Sequence, residues 1–307
     1  MASSVARAHL FRIGSVRKGQ ALVAVALLLP SIVVVFGVVV YPLVQTLITS
    51  LQSVNSALPG PTPWVGLKNY GTVLGDSEFW GSLLRTVYFT FIATGCEIVL
   101  GVGLGMLLNA RFHGRMFVRA AVIVPWAVPT VVSGALWRWI DNGQYGPLNS
   151  LLLQLHLVGA YQQWLGTPLS AMNMIILVDI WKYTPFVALF VMAGLGTIPD
   201  ELREAAYVDG ASPARHFWSI TLPLLAPVLL VTAVLRTIDG FRLFDIVYVM
   251  TRGGPANGTE TLAIYTYARA FSDQSFGLGA AIAVLITLIT LVATALYMRT
   301  LRSVEVG

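Results

Sequence analysis

Six charged residues lie within stretches of sequence that are otherwise apolar, and they are the first candidates for binding chemistry. They are Asp179 and Lys182 in one stretch and Arg236, Asp239, Arg242 and Asp245 in another. Residues three apart on a helix are neighbours, so each of these charges has an opposite charge within reach. The six charges sum to zero, and this balance favours a neutral ligand over an ionic one.

The apolar stretches that must position these charges number six, and each is long enough to cross a bilayer as a helix of about 20 residues. Their ranges are 21–51, 83–110, 116–140, 171–195, 223–250 and 276–301. Charged residues make up only 11% of the chain, whereas soluble domains carry about 25%. We therefore predict an all-α polytopic membrane protein with six transmembrane helices. The first stretch is longer than a signal-peptide core and no cleavage site follows it, so we expect it to be retained.

The distribution of Lys and Arg in the loops predicts the orientation of these helices. Placing the N terminus in the cytoplasm puts eleven basic residues on that side and three on the other. Because cytoplasmic loops carry the excess of basic residues, both termini are predicted to be cytoplasmic. A segment 1–20 and a tail 302–307 then flank a membrane domain 21–301. The net charge of +5 reflects this topology and contact with anionic lipid, and it does not indicate nucleic acid.

The connections between the helices differ in character. The polar 52–80 connection is predicted to be an extended outer loop. The 141–169 connection carries Leu148, Leu151, Leu152, Leu155 and Val158 at helical spacing, which predicts an amphipathic helix on the outer surface. Prolines inside the third and fourth stretches are expected to kink their helices. Gly101, Gly103 and Gly105 are expected to permit close helix packing.

The cytoplasmic loop 197–222 is predicted to form two short helices joined by a tight turn. Pro199 and Asp200 signal a helix start, and Gly210 is placed to end that helix. A second helix from Pro213 would carry Phe217 and Trp218 on its apolar face. The loop therefore offers a surface at which another protein can dock.

This loop carries the motif of a known family. Glu204-Ala205-Ala206, Asp209-Gly210-Ala211 and the following residues 220–223 resemble the "EAA" loop of permease subunits of binding-protein-dependent ABC importers. Trp181, Pro185 and residues 251–255 are similar to the carbohydrate-uptake branch, typified by the maltose transporter permeases. The resemblance covers roughly residues 41–299.

The resemblance implies the architecture of an ABC type I importer permease and a set of partners. In that family the Glu-Ala-Ala helix enters a cleft of a separate ATPase subunit. The residues implied to couple to the ATPase are Glu204, Ala205, Ala206, Asp209, Gly210 and Ala211. The implied partners are a second homologous permease, an ATPase dimer, an extracytoplasmic binding protein and a carbohydrate substrate. The chain would bind no cofactor itself, ATP and Mg being bound by the ATPase, and it would lie in a prokaryotic cell membrane.

The same resemblance implies where the substrate passes. The candidate contacts are Asp179, Lys182, Tyr183, Phe186, Arg236, Asp239, Gly240 and Leu243. Counting 1.5 Å per residue places Asp179 about 14 Å and Asp239 about 16 Å below the outer surface. Both clusters are thus predicted to lie near the midplane, where transporters commonly hold substrate. An opposing interpretation is that the charges only neutralise one another and fix helix packing.

Two alternative functions are open at this point. Glycerol 3-phosphate or a glycerophosphodiester would be held by Lys182, Arg236 and Arg242. An ion-gradient-driven carrier would instead use Asp179, Asp239 and Asp245 as ion sites. The sequence offers no P-loop, no nucleophile beside a base, and no metal-ligand spacing among its four histidines. We therefore predict a translocation subunit and not an enzyme.

For Glu97, a lone acid beside Cys96, we expect a structural hydrogen bond.

Overall fold

The computed structural model describes residues 18–57, 60–110 and 112–305, and within these ranges the chain is helical apart from turns and two isolated β-bridges. The helices are α1 (Lys18–Val34), α2 (Tyr41–Ser50), α3 (Lys68–Gly75), α4 (Ser77–Asn109), α5 (Arg115–Ala127), α6 (Thr130–Ile140), α7 (Pro147–Gln154), α8 (Pro168–Leu195), α9 (Asp200–Val208), α10 (Pro213–His216), α11 (Leu222–Phe241), α12 (Asp245–Met250), α13 (Leu262–Tyr267) and α14 (Phe276–Glu305). Short π-helical turns join α1 to α2 and α10 to α11, and a third follows α13. Residues 1–17 of the predicted N-terminal segment, Arg111, and the last two residues of the predicted tail lie outside the described residues.

Five helical segments in the described part of the chain are long and apolar enough to cross a membrane. They are Val25–Ser50, Ser77–Asn109, Pro168–Leu195, Pro213–Phe241 and Phe276–Arg299. A sixth span is obtained if α5 and α6 are counted as one, although their axes are bent by 92°. The predicted number of six is met in this sense.

The prediction of one helix over 116–140, kinked by its prolines, is wrong. The helix stops at Ala127, and Val128 and Pro129 adopt extended backbone with ψ of 133° and 139°. Pro129 has no N–H to donate, and its ring disfavours helical backbone at the preceding residue. The second proline therefore produces a break between two helices instead of a kink within one.

The prediction of a fifth helix over 223–250 also needs correction. The helix begins one residue earlier, at Leu222, and ends at Phe241 before the short α12. At the interruption the Leu243 carbonyl accepts a hydrogen bond of 2.9 Å from the Thr261 hydroxyl. A side chain from a later segment thus satisfies a backbone group that a continuous helix would have bonded itself.

The 141–169 connection contains less helix than expected, and the 52–80 connection contains more. The helix expected within 141–169 ends at Gln154, and His156 has a φ of 57°. Asn149, on that helix, bonds to Gln162 and Trp164 of the following loop, so the segment folds onto its own connection. The 52–80 connection, expected to be extended, contains α3.

Close packing of α4 against α8 forms the centre of the bundle. A Cβ added at Gly101 would lie 2.5 Å from Val187 Cγ1, and one added at Gly105 would lie 2.7 Å from Val191 Cγ1. Only glycine permits this approach. The predicted role in helix packing is thus confirmed for these two glycines. Gly103, in contrast, faces open space.

Candidate functional site

A buried arginine at the centre of the bundle joins three helices. Arg236 of α11 donates from Nε to Glu97 Oε2 of α4 at 2.6 Å and from Nη2 to Glu97 Oε1 at 3.0 Å. Its Nη2 also donates to Asp179 Oδ2 of α8 at 2.6 Å, and its Nη1 to Asp239 Oδ2 at 3.2 Å. The guanidinium carbon lies 3.7 Å from the centroid of the Tyr183 ring. Only arginine offers enough donors in one plane to hold several carboxylates at once.

These contacts test the expected charge pairing. The Arg236–Asp239 pair on one helix is confirmed. The expected Asp179–Lys182 pair is wrong, because Asp179 bonds across helices to Arg236. The structural hydrogen bond expected for Glu97 is confirmed, with Arg236 as its partner. The similar depth inferred for the two clusters is borne out by the direct Asp179–Arg236 contact.

The charge of the buried cluster differs from the expected neutrality. Three carboxylates surround one guanidinium, which leaves a formal charge of −2 if all are ionised. Glu97 and Asp179 are buried, whereas Asp239 is about half exposed on its side chain. Arg242 and Asp245 are exposed and lie outside the cluster. The balance drawn from the sequence therefore does not describe the site.

A small cavity of about 30 Å³ adjoins the cluster. Its lining consists of Phe89, Thr130, Asp179, Tyr183, Arg236, Asp239, Gly240, Leu243 and Ile246. A volume of this size holds one or two water molecules, since a water needs roughly 10–15 Å³. Drug-sized ligands need about 300 Å³ or more. The site is therefore closed to a sugar in this conformation.

Six of the eight residues singled out as substrate contacts line this cavity, and two do not. Phe186 stacks on Trp126 with ring centroids 5.9 Å apart. Lys182 points to the break between α5 and α6, where its Nζ donates to the carbonyls of Trp126 at 3.3 Å, Pro125 at 3.5 Å and Val128. Phe89, Thr130 and Ile246 also line the cavity, and no sequence signal distinguished them from ordinary packing residues.

Gly240 allows α11 to approach α4 at the level of the cavity. A Cβ added there would lie 2.6 Å from Thr90 Oγ1. A larger residue would push the two helices apart and move Arg236 away from Glu97. The charge cluster therefore requires a residue without a side chain at position 240.

The cytoplasmic loop has the predicted form at its first helix. Helix α9 starts at Asp200, and Gly210 beyond its end has a φ of 72°, a conformation that glycine adopts without strain. Ala211 N donates to Ala206 O at 2.9 Å and Gly210 N to Tyr207 O at 3.1 Å, which is the Schellman arrangement. The second helix, expected from Pro213, is only the four-residue α10, and it runs through a π-helical turn into α11.

The exposed face of α9 is partly apolar. Tyr207 is 84% and Val208 85% exposed, while Ala206 is buried. Glu204, Ala205 and Asp209 are exposed as well. The helix therefore presents small, acidic and aromatic residues to whatever docks there.

A second polar cluster, missed by the sequence predictions, joins the link between α3 and α4 to α13 and the turn that follows it. Tyr265 Oη donates to Asp76 Oδ2 at 2.7 Å, and Arg269 Nη2 donates to the same oxygen at 2.7 Å. These bonds, the Tyr265 hydrogen bond first, lower the pKa of Asp76. Burial and the Asp76 carboxylate raise the pKa of Tyr265 to about 12. The cluster borders a cavity of about 250 Å³.

Two other carboxyl groups outside the spans titrate far above their usual range. Burial raises the pKa of Asp141 to about 7, and both of its oxygens lack a hydrogen-bond partner. Burial and then the nearby Glu78 raise the pKa of Glu260 to about 7. Within the described part of the chain no group of His, Cys, Asp and Glu side chains has the geometry to hold a metal ion.

With this geometry in hand, comparison with known proteins identifies the class. Residues 97–305 match the family described as the binding-protein-dependent transport system inner membrane component. The trehalose/maltose transport system permease protein MalF of Thermococcus litoralis is 42% identical over 273 residues, covering 89% of this chain and 91% of that protein. The sulfoquinovosyl glycerol transport system permease protein SmoG of Agrobacterium fabrum is 37% identical over 285 residues, covering 93% and 92%.

A solved structure shares the fold. A chain of a bacterial ABC transporter involved in the import of the acidic polysaccharide alginate matches with a TM-score of 0.80 and 20% identity, over 93% of this chain and 96% of that one. The chain belongs to the family of inner membrane components of binding-protein-dependent transport systems. It is a multi-pass membrane permease with the helical architecture of an ABC importer, as the cytoplasmic loop predicted.

Proposed function

We propose that the chain is the membrane-spanning subunit of an ATP-driven importer that carries a carbohydrate, a di- or oligosaccharide, into the cytoplasm. The observation that carries the proposal is the loop between α8 and α11, which pairs a helix exposing Glu204 and Ala205 with the left-handed turn at Gly210. The substrate class is supported by the relatives, whose names refer to trehalose, maltose and sulfoquinovosyl glycerol.

The loop is suited to grip an ATPase subunit. Ala205 is small enough to let another protein approach closely. Tyr207 and Val208 form an exposed apolar surface that a partner could bury. Because α8 ends at Leu195 and α9 begins at Asp200, only a short link separates the dock from the span that carries Asp179. ATP and Mg would be bound by two copies of the ATPase, and their closure would move α9 and α8 together.

The cavity at Arg236 is the proposed substrate pathway. Sugar hydroxyls both donate and accept hydrogen bonds, which suits a site that combines carboxylates with a guanidinium. The ring of Tyr183 would stack on a sugar face once the helices separate. Asp179, Tyr183, Arg236, Asp239, Gly240 and Leu243 are the proposed lining.

The charge of the site argues against an anionic phosphate ligand. Three carboxylates share one arginine, and the Lys182 ammonium is turned to backbone carbonyls. With all three carboxylates ionised, the site would repel a glycerophosphate, whereas it would not repel a neutral sugar. The remaining proposed components are a second permease subunit, an extracytoplasmic binding protein, and an orientation with α9 and both termini in the cytoplasm.

The first test is affinity purification of the chain in mild detergent, with mass spectrometry of the proteins that remain bound. We expect a P-loop ATPase and a second permease, and uptake of trehalose or maltose by the reconstituted complex. A chain that purifies alone would refute the proposed assembly. A complex that assembles but transports neither sugar nor any longer oligosaccharide would refute the substrate class only.

Variants of the loop test the coupling separately. Glu204→Lys and Gly210→Pro should leave the chain in the membrane but abolish substrate-stimulated ATP hydrolysis. Gly210→Asn is the matched control, because asparagine tolerates the left-handed conformation, and it should retain most of the stimulation. Glu201→Lys makes the same charge change one turn earlier and should also be tolerated. Normal stimulation in Glu204→Lys and Gly210→Pro would show that the loop does not couple.

A further inference from the structure

The break in the third span leaves backbone groups without their helical partners. The last four carbonyls of a helix have no intrahelical donor. The N–H of Val128 still bonds to the Val124 carbonyl at 3.2 Å. The Pro125 carbonyl would take its bond from residue 129, but Pro129 has no N–H. The chain then turns by 92°, so the carbonyls of Trp126 and Val128 lose the donors that a continuous helix would supply.

One side chain fills this gap. Lys182 of α8 is 3% exposed, and its ammonium donates to the carbonyls of Pro125, Trp126 and Val128. An ammonium has three N–H donors, so three carbonyl acceptors use all of them. Within the described residues no carboxylate forms an ion pair with Lys182. A positive charge at the carboxyl end of α5 is also favoured by the dipole of that helix.

We propose that Lys182 is a positioning residue that caps the broken end of α5 and ties the break to α8. It is not a ligand of the substrate, because its donors are already committed to backbone oxygens and its side chain does not line the cavity at Arg236. Its role is to fix the angle between α5 and α6.

The position of this cap gives it a consequence for transport. Thr130, the first residue of α6, lines the cavity together with Asp179 and Tyr183 of α8. Helix α8 runs unbroken from Pro168 to Leu195, next to the loop that holds α9. A displacement of α9 that moves α8 is therefore transmitted through Lys182 to the joint and to the wall that Thr130 forms. The effect on transport rests on the proposed function, whereas the effect on the helix angle does not.

The angle can be measured directly between two spin labels. Cys96 is the only cysteine and is replaced by alanine. Labels are then placed at Met116 near the start of α5 and Trp139 near the end of α6, which are 80% and 53% exposed. At 1.5 Å per residue the helix axes at these points lie about 21 Å apart at a right angle and about 35 Å apart in a straight helix. The experiment uses the assembled complex in lipid nanodiscs.

Lys182→Met keeps an unbranched side chain one atom shorter and removes all three donors. We expect its distance distribution to broaden and shift by several ångströms toward the straight value, and Lys182→Arg to remain close to the parent. For trehalose or maltose, whichever the complex transports, we expect the maximal rate of Lys182→Met to fall about tenfold or more, with less than about twofold change in the half-saturating concentration. Lys182→Arg should restore most of the rate.

The outcomes separate a positioning residue from a ligand. An unchanged distance in Lys182→Met would overturn the proposal, and so would a raised half-saturating concentration at an unchanged maximal rate. If Lys182→Met fails to assemble, Lys182→Gln carries the same test, because it removes the charge and the reach of the ammonium while keeping a polar side chain. Failure of uptake in the parent complex would refute the proposed function and leave the distance measurement valid.

Discussion

Removal of the buried guanidinium at position 236 should be among the most destabilising single changes in the described part of the chain. Arg236 makes three hydrogen bonds of 3.0 Å or less to Glu97 and Asp179, whose side chains are at most 2% exposed. In Arg236→Met both carboxylates stay buried without a positive partner. Breaking a buried pair from one side costs about 3–5 kcal/mol, mostly because it leaves the other charge unpaired. We therefore expect the free energy of unfolding to fall by about that amount, a factor of at least about 100 in the folded-to-unfolded ratio.

The assay is unfolding by titration with sodium dodecyl sulfate from mixed micelles, followed by circular dichroism. Arg203→Met is the matched control, because Arg203 pairs with Asp200 at 3.3 Å on the exposed surface of α9. An exposed pair contributes about 0–1 kcal/mol, so this variant should unfold close to the parent. The same residue change is thus made in a buried and in an exposed ion pair.

The cause of the loss can be isolated by removing the acids as well. Well-packed apolar residues often replace a buried ionic cluster without loss of stability. Adding Glu97→Met and Asp179→Leu to Arg236→Met should therefore recover most of the lost free energy, although it removes the proposed substrate contacts. Two results would refute the reasoning. One is a loss below about 1 kcal/mol in Arg236→Met, instead of the expected loss of about 3–5 kcal/mol. The other is a triple variant no more stable than the single one.

Two further predictions concern packing and pH. Gly101→Ala places a Cβ 2.5 Å from Val187 Cγ1, whereas the new Cβ of Gly103→Ala meets nothing within 4 Å. Overpacking should therefore lower the free energy of unfolding of Gly101→Ala by about 1–3 kcal/mol and leave that of Gly103→Ala near the parent value. Equal free energies of unfolding in the two variants would contradict the close packing of α4 on α8. Burial raises the pKa of both Asp141 and Glu260 to about 7. Unfolded carboxyl groups titrate near pH 4, so the folded state binds more protons between about pH 4 and pH 7, and stability should decrease as the pH rises through that window. The double variant Asp141→Asn, Glu260→Gln should show a smaller decrease in the same titration, and an unchanged pH dependence would exclude these two groups as its source.

The predictions that succeeded rest on local chemistry. The turn at Gly210 was predictable because few residues other than glycine adopt a φ near 72° readily, and the start of α9 because Pro199 and Asp200 favour a helix N terminus. The spans themselves follow from the length of the apolar stretches. The broken third span was missed because a proline within a helix and a proline between two helices have the same sequence signal. The outcome depends on what can take up the carbonyls that the proline leaves unbonded.

The ion-pair partners of the buried charges could not all be predicted from the sequence, for a related reason. Spacing along one helix correctly paired Arg236 with Asp239, since both lie on α11. The same rule gave the wrong partner for Asp179, because packing of α4, α8 and α11 brings the arginine of another helix closer than the lysine of its own. Helical periodicity specifies neighbours within an element and is silent about which faces meet.

The amino-acid sequence by itself therefore determined that this protein spans a membrane several times, that the loop after the fourth span contains a short helix ended by a tight turn at Gly210, and that the fourth and fifth spans carry part of the central charge cluster. These properties depend on composition and on contacts within about one helical turn. The tertiary structure alone decided that Arg236 holds Glu97 and Asp179 together, that the cavity beside them is closed to a sugar, and that Lys182 caps the break in the third span. Burial of a charge makes its partner obligatory, but the identity of that partner is set by helix packing, which joins Arg236 to Glu97, 139 positions away in the chain.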